Sequence, residues 1–289
     1  MKVHTVIPIL SATLVLLICI PLIAYADNPV NIRITNIRGT QFTVSWKTRL
    51  PEKGQIIFGE NPEKTDSWQI LYDDRGETII DDIHYITLRH LIPDTVYYFD
   101  IVSGDTIDNQ QGKHHIQKTS GILNIPDGSC LAVGQVFIDN ERQQPAYDSI
   151  IYITIHNNDP DQQTSSTESC ILSQNNGGYW AIEMANAVTL THDSRYIFSC
   201  NNSRALIEVE SGNNGSAQIL TPLIDDTNGY IPTISLDNEI RDILFILDFL
   251  SNKHHDFQIN YSRYDKNEDS RINLSDILMM LENIASQQE

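Results

Sequence analysis

The stretch "HYITLRHLIPDTVYYFDIVSGD", from His84 to Asp105, decides the fold of the first third of the chain. Apolar and polar side chains alternate in "HYITLRH" and again in "TVYYFDIVSG", which is the period of a β-strand with one face against a core. Between these runs lies L-x-P-x-T-x-Y, from Leu91 to Tyr97, whose tyrosine hydroxyl can bond back to the preceding turn. The stretch therefore predicts two strands joined by a turn that the tyrosine fastens.

The same period extends from Val30 to about Thr119, in "VNIRITNI", "QFTVSWKT", "GQIIFGE" and "KHHIQKT". Turn residues such as Gly39 and Pro51 separate the runs. About six or seven short strands in roughly 90 residues indicate an antiparallel β-sandwich, in which Trp46 can fill the space between the sheets.

With Trp46 and the L-x-P-x-T-x-Y run, residues 27–120 resemble a fibronectin type III domain. "GQIIFGE" followed by the His84–Asp105 stretch is most similar to the variant that precedes purple acid phosphatases. The resemblance covers about a third of the chain, and it implies a fold rather than a reaction.

The phosphatase likeness raises an enzyme hypothesis that the rest of the sequence can test. A two-metal phosphatase needs clustered Asp, His and Asn ligands, in runs such as G-D-x-G, G-N-H and G-H-x-H. The sequence after Thr119 contains none of these runs. The pair His114-His115 lies in a predicted strand, where neighbouring side chains point to opposite faces. We therefore expect a chain without catalytic activity.

A second β region is predicted over residues 128–223. Its strands are "CLAVGQVFID", "SIIYITIHN", "SCILSQ", "GYWAIEM", "RYIFSC", "RALIEVES" and "SAQILTPL". "NNGG", from Asn175 to Gly178, predicts a hairpin turn, since these residues tolerate positive φ. The polar insert "NNDPDQQTSSTES", residues 157–169, is expected to be an exposed loop.

This region resembles the transthyretin-like or carboxypeptidase-regulatory-like sandwiches of secreted bacterial proteins, through "GQVFIDNERQQPAYDSIIYI" and "NNGGYWAIEM". Tyr179 and Trp180 could bind sugar or belong to the core. Their alternation with apolar residues in a strand favours the core.

Beyond residues 224–234, which are predicted to be a linker, the period becomes helical and a domain over 235–289 is expected. "IRDILFILDFLS", which begins at Ile240, aligns with "LSDILMMLENIA", which begins at Leu274, at a spacing of 34 residues. The first helix is predicted to start near Asp237 or Asn238 and to carry an apolar stripe that packs on the second helix. The stripe comprises Ile240, Ile243, Leu244, Leu247 and Leu250.

Oxygen-bearing residues alternate in "YDKNEDSRINLSDILMML", which begins at Tyr264. A 12-residue calcium loop takes ligands from positions 1, 3, 5, 7, 9 and 12. Counted from the first aspartate, these positions hold Asp265, Asn267, Asp269, Arg271 through its carbonyl, Asn273 and Asp276. Ile272 is expected to point inward as the apolar anchor. The alternative is a polar turn that caps a helix, which accounts for Asn273 and Asp276 but leaves the earlier alternation without a cause.

Position 6 of such a loop is ordinarily Gly, because the backbone there has positive φ, and this chain has Ser270. An L-residue in that conformation costs about 1–2 kcal/mol. The equivalent loop of the first repeat would begin at Ile231 and has no carboxylate before Asp237, so it is expected to bind no metal.

The pattern D-x-N-x-D-x-x-I-N-x-x-D followed by I-L-x-x-L resembles a dockerin repeat, the calcium-dependent module that binds cohesin domains of scaffolding proteins. The likeness covers about 55 residues and is poor in the first repeat. It implies Ca²⁺ and a cohesin-like partner. The alternative is a structural calcium ion that only stiffens the helix pair.

The N-terminus carries an apolar run from Val6 to Ile23 followed by "AYAD". This pattern predicts a signal peptide over residues 1–26, cleaved between Ala26 and Asp27, and hence a secreted or cell-surface protein. The alternative is an uncleaved membrane anchor, since about 20 apolar residues span a bilayer. No further membrane segment is expected.

The 289 residues include 19 basic and 38 acidic side chains, a net charge of −19, which disfavours nucleic acid as a partner. Three cysteines lie beyond the leader, at Cys130, Cys170 and Cys200. An exported protein can form a disulfide, and three cysteines predict one bridge plus one free thiol without deciding the pairing.

The sequence thus predicts a mainly β chain with two antiparallel β-sandwich domains, followed by a small helical dockerin or EF-hand-like domain. The function predicted is non-catalytic attachment outside the cell. The alternatives are an accessory or remnant module of an extracellular hydrolase, acting on phosphate esters or glycans, and an adhesin that binds polysaccharide.

Overall fold

The computed structural model describes residues 28–139, 142–156, 163–174, 176–224, 229–236, 243, 246–247, 250, 264–267 and 269–286. The predicted leader lies outside the described residues. In the described part of the chain, no helix has the length and hydrophobicity needed to cross a membrane.

The first sandwich consists of two antiparallel sheets. One sheet has the strand order β1-β2-β5, and the other has the order β4-β3-β6, with β7 and β8 both paired to β6. The strands are β1 (Val30–Thr35), β2 (Gln41–Glu52), β3 (Gly54–Gly59), β4 (Gln69–Tyr72), β5 (Asp81–Arg89), β6 (Val96–Ser103), β7 (Thr106–Asp108) and β8 (His115–Lys118). The predicted antiparallel β-sandwich is confirmed. The short edge strands β4 and β7 were absent from the prediction, since neither has a clear alternating pattern.

The predicted tyrosine turn is present. The Ile92 N–H donates to the Tyr97 hydroxyl at 2.9 Å, and the Tyr97 ring is buried between the sheets. Trp46 is also buried there, and its indole N–H donates to the Ser103 hydroxyl at 2.9 Å. These bonds satisfy the polar atoms of two large core rings.

The second sandwich has a sheet of order β11-β10-β13-β14 facing a sheet of order β12-β9-β15. Its strands are β9 (Leu131–Phe137), β10 (Ile150–His156), β11 (Glu168–Ile171), β12 (Tyr179–Glu183), β13 (Arg204–Glu210), β14 (Ser216–Pro222) and β15 (Ile234–Ser235). The pairs are antiparallel except for β15, which runs parallel to β9.

The structure differs from the expected pattern of this sandwich at three places. "RYIFSC" forms an isolated bridge between Arg195 and Val188 instead of a strand. The end of the polar insert is buried: the Ser165 hydroxyl accepts from the Ile155 N–H at 2.9 Å, while residues 157–162 lie outside the described ones. The third place is the segment predicted as a linker, where Ile231 and Ile234 lie in the core of the second sandwich.

The last difference moves the boundary of the domain. The strand β15 has only two residues, too few to show an alternating pattern, and the Asp, Asn, Gly and Pro residues before it are typical of a linker. Residues 231–236, the described part of the loop predicted for the first repeat, thus belong to the sandwich rather than to the tail.

The disulfide joins Cys130 and Cys200, which are 70 residues apart. Closing a loop of that length restricts the unfolded chain and stabilises the fold by about 4 kcal/mol in the chain-entropy account. Cys170 is the free thiol, and burial raises its pKa to about 12, so the unreactive thiol form predominates.

The two sandwiches pack against each other through the β1-β2-β5 sheet and the β11-β10-β13-β14 sheet. Side chains on the outer faces of β5 and β10 form a small apolar cluster of Ile83, Tyr85, Ile150 and Tyr152. Alternate residues of the same strands, such as Ile86 and Ile151, enter the two sandwich cores. Both faces of these strands are therefore buried.

The tail contains the helix α1 (Leu274–Ser286), and the described residues Ile243, Ile246, Leu247 and Leu250 are also helical. The buried face of α1 joins a cluster of Ile243, Ile246, Ile272, Ile277 and Met280. The predicted stripe of the first helix is only partly buried, because Leu247 and Leu250 are exposed while Ile243 is buried. Its other members, Ile240 and Leu244, and the N-cap candidates Asp237 and Asn238 lie outside the described residues.

Candidate metal centre

The helix α1 begins with a reciprocal cap. The Asn273 side-chain oxygen accepts from the Ser275 N–H at 2.8 Å, and the Asp276 carboxylate accepts from the Asn273 N–H at 2.8 Å. This is the capping-box arrangement, with Asp in place of the usual Glu or Gln. The capping reading of these two residues is therefore correct as local structure.

The Asp276 carboxylate also holds the start of the loop. Its other oxygen accepts from the N–H groups of Lys266 at 2.8 Å and Asn267 at 3.3 Å. The side chain is fully buried. One carboxylate thus joins the two ends of a 12-residue segment, which a helix cap alone does not require.

The side-chain oxygens of Asp265, Asn267 and Asp269 line the inside of the turn. Asp265 accepts from the N–H groups of Asp269 at 3.1 Å and Ser270 at 2.7 Å. Asn267 accepts from the Asp269 N–H at 3.1 Å, and Asp269 accepts from the Arg271 N–H at 2.8 Å. The alternation seen in the sequence therefore places successive side-chain oxygens toward one concave backbone segment.

Ser270 has φ of 64°, in the left-handed region. This is the conformation that position 6 of a calcium loop requires and that glycine adopts without cost. Ile272, two residues later, is buried in the tail cluster, as its position predicts. Arg271 is exposed, and its expected contribution is the backbone carbonyl alone.

The donor set contains three carboxylates, two amides and one backbone carbonyl, and hard oxygen ligands of this kind suit Ca²⁺. Among the described residues, those of this loop included, no three side chains of His, Cys, Asp or Glu are grouped so that they could hold a metal ion. The three loop aspartates are instead bonded to backbone N–H groups. The structure therefore shows a backbone with the shape of a calcium loop. The assignment of the six residues as ligands rests on their spacing in the sequence.

The adjacent histidines belong to separate polar pairs. His114 Nδ1 lies 2.7 Å from Asp100 Oδ1, and His115 Nε2 lies 2.9 Å from Asp108 Oδ2. The His115 ring also stacks on Phe99. These contacts are structural, and they direct the two rings to different carboxylates. His114 was predicted to lie in a strand with His115, but it precedes β8 and has φ of 61°, so strand alternation does not cause the separation.

The two aromatic residues of β12 have different environments. Trp180 is buried in the core above Gly134, where a Cβ would lie 2.6 Å from the indole. Tyr179 is 46% exposed, and its ring lies 6.3 Å from that of Tyr230, which is 48% exposed. Sequence reasoning missed Tyr230, because the turn that contains it lies 51 positions away in the chain and shows no strand pattern.

Two buried titratable groups at the beginning of β5, Asp82 and His84, were also missed. Burial raises the pKa of Asp82 to about 6, with neighbouring Asp81 adding to the effect. Burial lowers the pKa of His84 to about 4, and this ring stacks on Trp46 at 4.8 Å. The sequence shows these residues only as alternating positions of a strand. Their burial depends on contacts with the second sandwich and with the core, which the sequence pattern does not show.

No protein-family model and no curated protein matches the chain. Among solved structures, the FN5 domain of Drosophila Lar is 20% identical, covers 33% of this chain and 98% of its own, and has a TM-score of 0.25. The chicken CNTN1 FN1–FN3 domains are 12% identical, cover 66% of this chain and 64% of their own, and have a TM-score of 0.25. A structure of PhoD is 6% identical, covers 37% of this chain and 22% of its own, and has a TM-score of 0.23. The description of the first sandwich as fibronectin type III-like rests on its two sheets and its tyrosine turn, and these likenesses add nothing about activity.

Proposed function

We propose that this chain is a non-catalytic, exported modular protein whose calcium-stabilised, dockerin-like tail attaches it to a partner protein. The observation that carries the proposal is the left-handed turn at Ser270, enclosed by side chains that alternate from Asp265 to Asp269 and closed by buried Asp276. A plain helix cap needs only the bond from the Asn273 N–H to the Asp276 carboxylate.

The loop residues have distinct roles in this proposal. Asp265, Asp269 and Asp276 would supply carboxylate oxygens, Asn267 and Asn273 amide oxygens, and Arg271 its carbonyl. Calcium at this position neutralises carboxylates that the N–H groups of the loop otherwise satisfy, and so favours the folded tail.

The test is a calorimetric calcium titration of the exported chain, with Asp265→Ala as the variant. Wild type is expected to bind one ion per chain with helix gained on binding, and Asp265→Ala to show no heat. Asp105→Ala, at an exposed turn in the first sandwich, is the matched control and should titrate like wild type. An unchanged titration for Asp265→Ala contradicts the assignment.

Attachment to a partner is supported by the outer face of α1. Leu274, Leu278 and Leu281 are exposed and follow the i, i+4, i+7 spacing of one helical stripe. A purified cohesin domain is the probe for this step. Leu278→Lys is expected to abolish binding to it while the calcium titration stays unchanged. If wild type binds calcium but no cohesin, the ion is structural only.

A second candidate function, polysaccharide binding, is favoured by the exposed pair Tyr179 and Tyr230. Exposed aromatic rings such as these, one on β12 and one in a bend of the chain, can stack on sugar rings. Retention on insoluble glycans that is lost in Tyr179→Ala, and kept in a variant of exposed Tyr72, would support this role. Equal retention of both variants excludes the pair as the binding surface.

A further inference from the structure

The strand β14 forms one edge of the second sandwich. Among the described strands it pairs with β13 alone, over seven consecutive residue pairs without a break in register. An edge strand directs half of its backbone N–H and C=O groups away from its sheet, where they can pair with another chain.

The register shows which groups these are. In continuation of the β13–β14 ladder, the Leu223 N–H donates to Ser203 O at 2.9 Å, and the Ser211 N–H donates to Gly215 O at 2.8 Å. In an antiparallel pair, residues that bond to the partner alternate with residues that direct both groups away. The odd-numbered residues of β14 therefore bond β13, and the even-numbered ones face outward. The outward residues that carry an N–H are Ser216, Gln218 and Leu220.

This outward side borders a cavity of about 750 Å³ between the two sandwiches. Its lining contains the consecutive runs 31–33, 216–219 and 233–235. The lining also contains residues 208–210 of the inner strand β13, so part of the cavity lies over the outer face of this sheet. Because the cavity also reaches Ala217 and Ile219 on the core side of β14, and residues 233–235 beside the opposite sheet, it extends past the β14 edge. The volume lies within the range of about 300–1,000 Å³ typical of ligand sites.

Two other edges of the molecule, those at β5 and β11, are covered by side chains. On β5, the Tyr85 N–H donates to Asp73 at 3.1 Å and the Thr87 N–H donates to Asp74 at 3.0 Å. On β11, the Ser169 N–H donates to the Asn36 side chain at 2.8 Å. Natural proteins protect edges in such ways, or with charged residues and proline. "SAQILTP", the sequence of β14, has no charged residue, and its proline is the last position.

We propose that β14 receives an extended segment of a partner protein, which adds a strand to this sheet inside the cavity. The segment pairs its backbone with Ser216 and Gln218, which line the cavity, and with the N–H of Leu220, whose C=O accepts from the Arg204 guanidinium at 3.2 Å. Its inward side chains are apolar, because they face Ile219 and Ile234, which pack on the sandwich core. This is the strand-addition mode of peptide recognition.

The outward side chains of the segment are polar and carry no net charge. They face the ion pairs Arg33–Glu208 at 2.7 Å and Lys47–Glu210 at 3.2 Å, in which each charge already has its counter-ion. A second copy of this chain is the weaker occupant, because the edge is recessed between the sandwiches and two copies of net charge −19 repel each other.

The test uses the full chain and the capped peptide TITVTITVT as the probe. Amide hydrogen exchange at Ser216, Gln218 and Leu220 is expected to slow when the peptide is added, while exchange at Ala217 and Ile219 stays unchanged. A peptide with proline at its centre is the negative control. Absence of protection at saturating peptide, or protection at another edge, overturns the proposal.

The variant Gln218→Pro removes one outward N–H without removing a bond to β13. We expect at least about tenfold weaker peptide binding, since the N–H is lost and the added strand is displaced. Gln69→Pro, at the start of edge strand β4, is the matched control and should bind the peptide normally.

A second measurement keeps wild-type protein and changes only the peptide. Methylating alternate peptide nitrogens blocks one edge of the probe, and methylating the other set blocks the opposite edge. Binding should survive one set and be lost with the other. Equal binding of both peptides, or a dimer of the chain that Gln218→Pro dissociates while peptide does not bind, overturns the proposal.

Discussion

The contact between the two sandwiches and the loop before α1 both depend on hydrogen bonds to carboxylates and amides, and they differ in sequence distance. In the loop, Asp276 and Lys266 are 10 residues apart. Across the sandwiches, Arg38 and Glu168 are 130 residues apart. The loop can therefore take its shape within one short segment, whereas the contact requires residues of both sandwiches.

The long-range contact is polar and well paired. Both terminal nitrogens of the Arg38 guanidinium donate to Glu168, at 2.8 and 2.5 Å. The Tyr85 hydroxyl donates to Ser169 O at 3.0 Å, and the Ser45 and Tyr152 hydroxyls lie 2.8 Å apart. Buried polar groups are costly unless they are satisfied, so these bonds favour one relative placement of the sandwiches.

The largest expected effect comes from breaking this contact with Arg38→Ala. Glu168 has 2% of its side chain exposed, and the variant removes the guanidinium that is hydrogen-bonded to it. We expect a loss of about 3–5 kcal/mol in the free energy of unfolding, measured by urea denaturation. Arg33→Ala is the control, since the Arg33–Glu208 pair is far more exposed and should cost about 1 kcal/mol or less. Equal losses in the two variants contradict this account.

The next largest effect is a dependence of stability on pH. Asp82 is buried at the contact between the sandwiches, where it lies against Gly212. Its pKa of about 6 in the folded chain exceeds the ordinary 3.8, so the folded state retains a proton that the unfolded state releases. Stability is therefore lost as pH rises through that window, by about 3 kcal/mol at most. Asp82→Asn should remove this loss and unfold at higher urea than wild type at pH 7.

The buried ring of His84 gives the opposite slope. Its pKa is lowered from 6.5 to about 4, so the unfolded state takes up a proton first, and stability is lost as pH falls through that window. In wild type the two slopes largely cancel between about pH 4 and 6. In Asp82→Asn the stability should rise with pH over that range, as followed by urea midpoints. A flat profile in the variant would show that burial of His84 has no such effect.

The smallest effect tests the local region. Ser270→Gly relieves the left-handed backbone at φ of 64° and is expected to stabilise the tail by about 1 kcal/mol, because the relief exceeds the entropy cost of glycine. The measurement is calcium affinity, which should tighten several-fold, together with thermal melting of the tail helix. Ser275→Gly, in the first turn of α1, should have the opposite sign. A looser site in Ser270→Gly contradicts the loop assignment.

The first sandwich was predictable because its signals are local. Alternation places the strands, and the run ending at Tyr97 forms the turn that it predicts. The loop is equally local: its capping box and the left-handed Ser270 follow from residue types within one turn of chain. Calcium binding and docking remain predictions.

Where prediction failed, the partner was distant. β15 is a strand because residues 234–235 lie beside β9, about 100 positions earlier in the chain. The "RYIFSC" run has a strand composition, yet its last residue is tied to Cys130 by the disulfide and the run forms no ladder. Tertiary context decides such cases over propensity.

The sequence by itself determined the two β-sandwiches, the tyrosine turn and the shape of the loop at residues 265–276, since each depends on side chains that are neighbours in the chain or alternate along a strand. Only the tertiary structure decided the disulfide pairing, the burial of both faces of β5 and β10, and the exposed edge of β14 beside a cavity. These features depend on which surfaces meet after folding, and a pattern with a period of two residues shows that a face is buried without showing what covers it.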